Sequence, residues 1–423
     1  MKNRYLSANL CGAFCLLTLL LSCSSYTPFS RDLPARSDSS VIAFVKQHHI
    51  PYSCENRALL LNGGHQKFEA LFRDIRAARH SVHLEYFNFR NDSITDALLN
   101  LLAQKVKEGV EVRAMFDAFG NFSNNRPLRN KKLDEIRSHG IEIVKFDPLR
   151  FPYLNHTATR DHRKIVVIDG RIAYTGGINV ADYYLQGLPG IGSWRDMHVR
   201  IEGEAASAFQ DIFLAMWNNE TGEKIGGPAY YPPVADSLAR DTTCIAVVDR
   251  CPRKNPKMMR QMYARSIDAA KKKIQIVNPY FLPTHTVRAA LYRALKDSVE
   301  VEIMLSSKCD IPFTPDGVRY VAHKLMKRGA KIYYFDEGFH HSKVMMVDSL
   351  FSTVGSTNLN SRSLRYDYEI NAFFFDGNTT HELSRIFEQD KKECHLMTPE
   401  SWKKLSLWKK FCGWAANLLT PFM

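Results

Sequence analysis

His162-Arg163-Lys164-Ile165-Val166-Val167-Ile168-Asp169 and His341-Ser342-Lys343-Val344-Met345-Met346-Val347-Asp348 are two copies of one pattern, His-x-Lys-x4-Asp. Each is followed by Gly-x-x-Asn, as Gly176-Gly177-Ile178-Asn179 and Gly355-Ser356-Thr357-Asn358. The interval from Asp to Gly is seven residues in both copies (176 − 169 and 355 − 348). The apolar run after each lysine reads as a buried strand. Residues two apart on a strand share a face, so His and Lys of each copy are expected side by side in one pocket. Asp169 and Asp348 complete the two catalytic motifs. Their odd separation from the histidines puts them on the opposite face, as structural supports rather than proton carriers. A single match to this pattern is a weak signal. Two copies with glycine and asparagine in register are a strong one.

The repetition extends beyond the motifs. Ser138-His139-Gly140-Ile141-Glu142-Ile143-Val144-Lys145-Phe146-Asp147 resembles Lys327-Arg328-Gly329-Ala330-Lys331-Ile332-Tyr333-Tyr334-Phe335-Asp336, at an offset of 189 (329 − 140). Gly109-Val110-Glu111-Val112-Arg113-Ala114-Met115 resembles Ser298-Val299-Glu300-Val301-Glu302-Ile303-Met304 at the same offset (298 − 109). Two separate matches at one offset indicate a duplicated unit. Each copy alternates strand and helix patterns. In the first, residues 81–87 read as a strand, 96–107 as a helix and 110–116 as a strand. The second runs 274–277, 287–295 and 299–305. This alternation predicts an α/β layer fold with a parallel or mixed sheet. The expected organisation is a signal or anchor at 1–22, a polar tether at 23–45, a first repeat at 46–225, a linker at 226–255, a second repeat at 256–396 and a basic amphipathic tail at 397–423. The linker is suggested by Gly226-Gly227-Pro228-Ala229-Tyr230-Tyr231-Pro232-Pro233, which breaks regular structure.

A protonated lysine beside a histidine is poor metal-ligand chemistry but suits a phosphate. Lysine supplies fixed positive charge for non-bridging oxygens, and histidine serves as nucleophile or proton donor. No metal-ligand spacing is visible among the nine cysteines, and no metal or cofactor is expected. Cys244 and Cys251 are close enough in sequence to pair, but sequence does not decide it.

The chain's surroundings point the same way. Its 423 residues carry a formal net charge of +13, which favours anionic partners. Apolar content of 45% argues against disorder as the default. Met1-Lys2-Asn3-Arg4 is a short basic region, residues 10–21 are mostly apolar, and Ser22-Cys23-Ser24-Ser25 follows. That is a signal-peptide layout, with an apolar run short of the roughly 20 residues of a full span. Leu20-Leu21-Ser22-Cys23 also resembles a bacterial lipobox, which would make Cys23 the lipidated mature N-terminus. A plain uncleaved anchor or an ordinary signal peptide is the alternative, and the body is expected against a membrane, outside the cytoplasm. In the tail, Trp402, Leu405, Trp408, Phe411, Cys412 and Ala415 recur at helical spacing beside Lys403, Lys404, Lys409 and Lys410. Such a helix suits a membrane interface or docking on the core.

In these residues the chain resembles the phospholipase D superfamily, and within it the bacterial cardiolipin synthases, over most of residues 45–400. Arg160-Asp161-His162-Arg163-Lys164, Trp194-Arg195-Asp196-Met197-His198-Val199-Arg200-Ile201-Glu202-Gly203, Pro279-Tyr280-Phe281-Leu282-Pro283 and Gly355-Ser356-Thr357-Asn358-Leu359-Asn360-Ser361-Arg362-Ser363 are similar to that group's signature stretches. The resemblance implies two phospholipase D-like α/β sandwich halves in one pseudo-symmetric unit, sharing a single site without a metal. It implies that one histidine attacks phosphorus and the other protonates the leaving oxygen, then activates the incoming alcohol. His162 is the expected nucleophile and His341 the acid. Lys164, Lys343, Asn179, Asn358 and Ser356 are expected at the phosphate oxygens, although Gly177 stands in the first repeat where the second has Ser356. Asp196 and Glu369, downstream of the two motifs, are expected to orient the histidines. His340 is expected to point away from the site, and His198 to lie in the core or behind the site.

The expected substrate is an anionic phospholipid, phosphatidylglycerol, converted to cardiolipin and glycerol at a membrane surface. Hydrolysis to phosphatidic acid is the enzymatic alternative, and a non-catalytic lipid-binding protein the alternative from another class. A nuclease would suit the basic charge, but a membrane anchor argues against nucleic acid.

Overall fold

The computed structural model describes residues 38–148, 159–234, 243–311 and 314–420. The leader, the lipobox with Cys23 and most of the tether lie outside the described residues.

The duplication is visible strand by strand. One sheet has seven strands in the spatial order Asn56–Asn62, Met197–Gly203, Ile172–Gly176, Lys164–Ile168, Ser81–Tyr86, Glu111–Asp117, Glu142–Phe146. The other repeats that order as Ile245–Arg250, Glu369–Phe374, Phe351–Gly355, Val344–Val347, Lys273–Val277, Glu300–Ser306, Lys331–Phe335. Tyr52–Ser53 adds to one of its edges and Cys394–Leu396 to the other, giving nine strands. In each sheet the last three strands of the common order run parallel, and the neighbouring pairs before them are antiparallel. Crossover helices such as Ser93–Lys107 and His285–Lys296 link the parallel strands. The strands after the motif lysines are buried throughout, as a sheet covered on both faces requires.

Two expected boundaries are corrected. The segment 226–255 is not simply a linker, because it contains the strand Ile245–Arg250. That strand is the counterpart of Asn56–Asn62 at the same offset of 189 (245 − 56), so the second repeat begins with it. The tether ends earlier than 45, because Ser39–Gln47 is a helix whose Val41, Phe44 and Val45 are buried in the core of the second half.

The halves meet sheet against sheet. Ile165, Val167, Val199 and Ile201 of the first share one apolar cluster with Val344, Met346, Ile370 and Phe374 of the second. Burying each such side chain contributes about 1.5–3 kcal/mol, which fixes the halves as one unit. Cys244 bonds to Cys54 rather than Cys251, because strand pairing of Ser53 with Ile245 brings those two cysteines together, and Cys251 remains a free thiol. In the tail, Pro399–Lys403 and Leu407–Leu419 are helices, the latter packed on Thr314–Met326.

Candidate active site

Each motif histidine sits just before its strand rather than on it, which corrects the expectation of a shared strand face. Lys164 begins the strand Lys164–Ile168, and Lys343 immediately precedes Val344–Val347. Histidine and lysine still converge in each copy. The Lys164 ammonium donates to the His162 carbonyl at 2.6 Å. Lys343 donates to the His341 carbonyl and lies 3.0 Å from His341 Nε2.

The halves exchange supports. His162 Nδ1 lies 3.0 Å from Glu369 Oε1, and His341 Nδ1 lies 2.7 Å from Asp196 Oδ2. Each histidine is thus paired with the carboxylate of the opposite half. The backbone reinforces the crossing: His162 N–H donates to Tyr368 O at 3.0 Å, and His341 N–H to Arg195 O at 2.6 Å. Tyr368 and Arg195 immediately precede the two carboxylates. A short parallel pair, Ser193–Arg195 with Gly338–His340, ties the halves at this point. An acceptor at Nδ1 fixes each ring as the Nδ1–H tautomer and leaves Nε2 with a lone pair. The Lys343 ammonium donates to that lone pair on His341, whereas no described side chain hydrogen-bonds to His162 Nε2.

Burial dominates the electrostatics. It lowers His162 well below the usual histidine range, helped by the Lys164 and Lys343 charges. Burial lowers His341 too, with Lys343 adding to the effect and Asp196 opposing it. The Lys343 ammonium is brought down to about 7 and that of Lys164 to about 8, both by burial. Burial raises Glu369 to about 7 against the pull of Lys164. The two buried ammonium groups, costly to hold charged out of water, are the ones that an incoming phosphate would stabilise.

Asn179 and Asn358 line the same cavity as both histidines, and the side-chain oxygen of each has no hydrogen-bond partner. Ser356 requires a correction. Its hydroxyl donates to Glu369 Oε2 and accepts from Ile370 N–H at 3.0 Å, so it secures the carboxylate that holds His162 rather than reaching the cavity. The same geometry explains Gly177. A Cβ there would stand 2.1 Å from Asp196 Oδ1, so the shorter carboxylate of the first half occupies the space a serine would need.

Asp169 and Asp348 lie away from the histidines. Asp169 accepts the N–H groups of Arg79, His80 and Ser81 at 2.8, 2.7 and 2.9 Å. Asp348 does the same for Lys271, Lys272 and Lys273 at 2.7, 2.8 and 2.8 Å. Both adopt left-handed backbone, φ 53° and 52°, a conformation aspartate tolerates better than most residues. They pin the turn before the neighbouring strand, away from both histidines. His340 turns from the cavity and lies 3.1 Å from Asp390, which Arg195 also grips through two nitrogens. His198 is buried behind the site, on the strand beside Gly176.

The cavity has a volume of about 840 Å³ and opens between the halves. Its wall is more aromatic than the motifs alone suggest. The Phe87 ring lies 5.1 Å from that of His162, and the Trp194 and Tyr280 rings lie 5.5 and 6.0 Å from that of His341. Trp194 and Tyr280 stand within the signature stretches, whereas Phe87 follows the strand Ser81–Tyr86 without a motif to mark it. Arg160, fully buried, grips Asp117 at 2.9 Å and steadies the loop before His162.

Comparison with known proteins accords with this geometry. The family described as "Cardiolipin synthase, PLD-like domain" matches residues 71–217 and 263–391. The chain is 32% identical over 381 residues to a cardiolipin synthase of Geobacillus kaustophilus, covering 90% of this chain and 74% of that protein. It is 34% identical over 371 residues to cardiolipin synthase 2 of Staphylococcus epidermidis, covering 87% and 75%. Among solved structures, a phosphatidylserine synthase of Haemophilus influenzae aligns with a TM-score of 0.67 at 14% identity, covering 90% of this chain and all of that one. A polyphosphate kinase of Porphyromonas gingivalis aligns at 0.56 and 14% identity, covering 82% and 49%. These two likenesses concern the fold.

Proposed function

This chain belongs to the cardiolipin synthase family of PLD-like enzymes, and from that premise we propose that it joins two phosphatidylglycerol molecules into cardiolipin and glycerol through a phosphohistidine. It is an enzyme of phospholipid biosynthesis. The observation that carries the mechanism is the asymmetry at Nε2. His162 presents an unengaged lone pair to the cavity, while His341 Nε2 is engaged by Lys343.

In the first half-reaction His162 Nε2 attacks phosphorus and the bond to the glycerol headgroup oxygen breaks. As the phosphate draws Lys343 away, its negative charge favours protonation of His341, which takes up a proton from solvent at the freed Nε2; as imidazolium His341 gives that proton to the headgroup oxygen and glycerol leaves. In the second half-reaction neutral His341 takes the proton of a hydroxyl on another phosphatidylglycerol. That oxygen attacks phosphorus, the P–N bond breaks and His162 is regenerated. Lys164, Lys343, Asn179 and Asn358 would hold the non-bridging oxygens, and the Lys343 ammonium would leave His341 for the phosphate as substrate binds. Glu369 and Asp196 hold the two rings in the required tautomer.

The disulfide supports a catalytic body outside the cytoplasm, since such bonds persist in oxidising compartments. Among the described residues no helix is long and apolar enough to cross a membrane.

The test is lipid mass spectrometry after incubating the purified protein with phosphatidylglycerol vesicles, beside His162→Ala. Cardiolipin and glycerol in the unaltered protein alone support the proposal. Phosphatidic acid without cardiolipin would make water the acceptor and overturn it.

A further inference from the structure

Nine large hydrophobic side chains are exposed among the described residues, and five of them, Leu407, Trp408, Phe411, Trp414 and Leu418, stand on the single helix Leu407–Leu419. Leu407, Phe411, Trp414 and Leu418 follow at steps of four, three and four, which aligns them in one stripe. An ordinary surface helix buries such a stripe. This one docks by its small residues instead. A Cβ on Gly413 would lie 2.6 Å from Asp316 O, and one on Gly317 would lie 3.1 Å from Ala416 Cβ. Arg288 adds a hydrogen bond to Asn417 at 3.0 Å. The helix is therefore held by its narrow face, and its wide apolar face is turned outward.

Its position relates it to the cavity. The Cβ site of Gly317 that meets Ala416 also lies 3.3 Å from Leu282, and Leu282 lines the cavity with Thr314 and Ile311. Ile311 is 44% exposed on this lip. Phe122, between the cavity-lining residues Phe119 and Ser123 in sequence, is 72% exposed.

We propose that Leu407–Leu419 is an interfacial helix that seats the mouth of the active site on an anionic bilayer, so that lipid enters the cavity without crossing water. The charge around the stripe identifies the occupant. Lys403, Lys404 and Lys409 are exposed beside it, and Lys410 lies against the Trp402 ring at 5.9 Å. Lysines flanking a tryptophan-bearing apolar face match the headgroup region of an anionic membrane. A second copy of this chain would bring the same lysines together across a two-fold axis, which like charges oppose. The proposal rests on the lipid-transfer reading of the site.

The full chain in vesicles of phosphatidylglycerol and phosphatidylcholine tests this in two ways. Bromine-bearing phosphatidylcholine should quench a part of the tryptophan emission that is absent from Trp408→Phe/Trp414→Phe, and equal quenching of both proteins would overturn the proposal. Leu407→Ser/Phe411→Ser/Leu418→Ser should reduce cardiolipin formation on vesicles by about tenfold, while its rate on dissolved short-chain phosphatidylglycerol matches the unaltered protein. Equal rates on vesicles would overturn the docking role and leave the synthase reading standing. Loss on both substrates with an unchanged melting temperature would assign these residues to the site itself and also overturn it. A concentration-dependent dimer abolished by the triple substitution would make the stripe a protein interface and overturn it. Should the unaltered chain form no cardiolipin from either substrate, the synthase reading fails while the quenching result still decides the membrane contact.

Discussion

His341 Nδ1 lies 2.7 Å from Asp196 Oδ2, although 145 residues and the boundary between the two halves separate them. Its mirror, His162 with Glu369 at 3.0 Å, spans 207 residues. Each half thus supplies the histidine of one role and the orienting carboxylate of the other. Neither half alone holds a motif histidine with its support, which gives the duplicated chain a physical reason to stay fused.

The crossing separates the effects of the two carboxylates. Asp196→Asn and Glu369→Gln should each lower kcat by about 10²-fold or more on phosphatidylglycerol, because an amide can hold the wrong tautomer. With a nitrophenyl leaving group, which departs without a proton, Asp196→Asn should recover most of the initial burst because it acts on the acid. Glu369→Gln should not, because it acts on the nucleophile. Burst amplitudes on the two donors check this.

Gly177→Ser should lower activity by about tenfold or more, since its Cβ would displace the Asp196 carboxylate from His341. Ser356→Gly meets no such obstacle and should instead lose the bond to Glu369, costing about 0.5–1.5 kcal/mol of stability. Steady-state rates together with chemical denaturation distinguish the two outcomes.

The profile of kcat/KM against pH should be bell-shaped. Lys343 and Lys164, lowered by burial to about 7 and about 8, lose their positive charge as pH rises and the alkaline limb falls. Glu369, raised by burial to about 7, gains a proton as pH falls and no longer holds the His162 Nδ1–H as an anion. A bound phosphate favours the ammonium forms, so the alkaline limb of kcat should lie at higher pH than that of kcat/KM. Coincident limbs would argue against lysine contact with the phosphate.

Asp169→Ala and Asp348→Ala should each destabilise the fold by about 2–4 kcal/mol, because each leaves three backbone N–H groups without their acceptor. Activity per folded molecule should change little. Denaturation midpoints and active-site-normalised rates make the comparison.

The paired motifs, the α/β alternation and the duplication were legible because they are local patterns of period two, period 3.6 and one offset. The crossing was not, since Asp196 follows His162 in sequence yet serves His341, and spacing along a chain does not say which half faces which. Ser356 shares the Gly-x-x-Asn element with Asn358, which in sequence groups it with the phosphate ligands, whereas its hydroxyl turns back to Glu369. The strand Ile245–Arg250 was hidden in an expected linker by the Gly and Pro residues upstream, and only its pairing with Glu369–Phe374 reveals its place. The outward stripe of Leu407–Leu419 was visible as an amphipathic pattern, but its direction depends on the close crossing at Gly413, which no periodicity encodes.

The division of labour between the histidines is the central claim, and trapping the covalent intermediate tests it most directly. His341→Ala, given a phosphatidyl donor with a nitrophenyl leaving group and quenched in alkali, should release a burst of nitrophenolate and carry the phosphatidyl group on His162, as located by peptide mass spectrometry. An adduct on His341 in the reciprocal His162→Ala protein, with none in His341→Ala, would contradict the assignment and reverse the two roles.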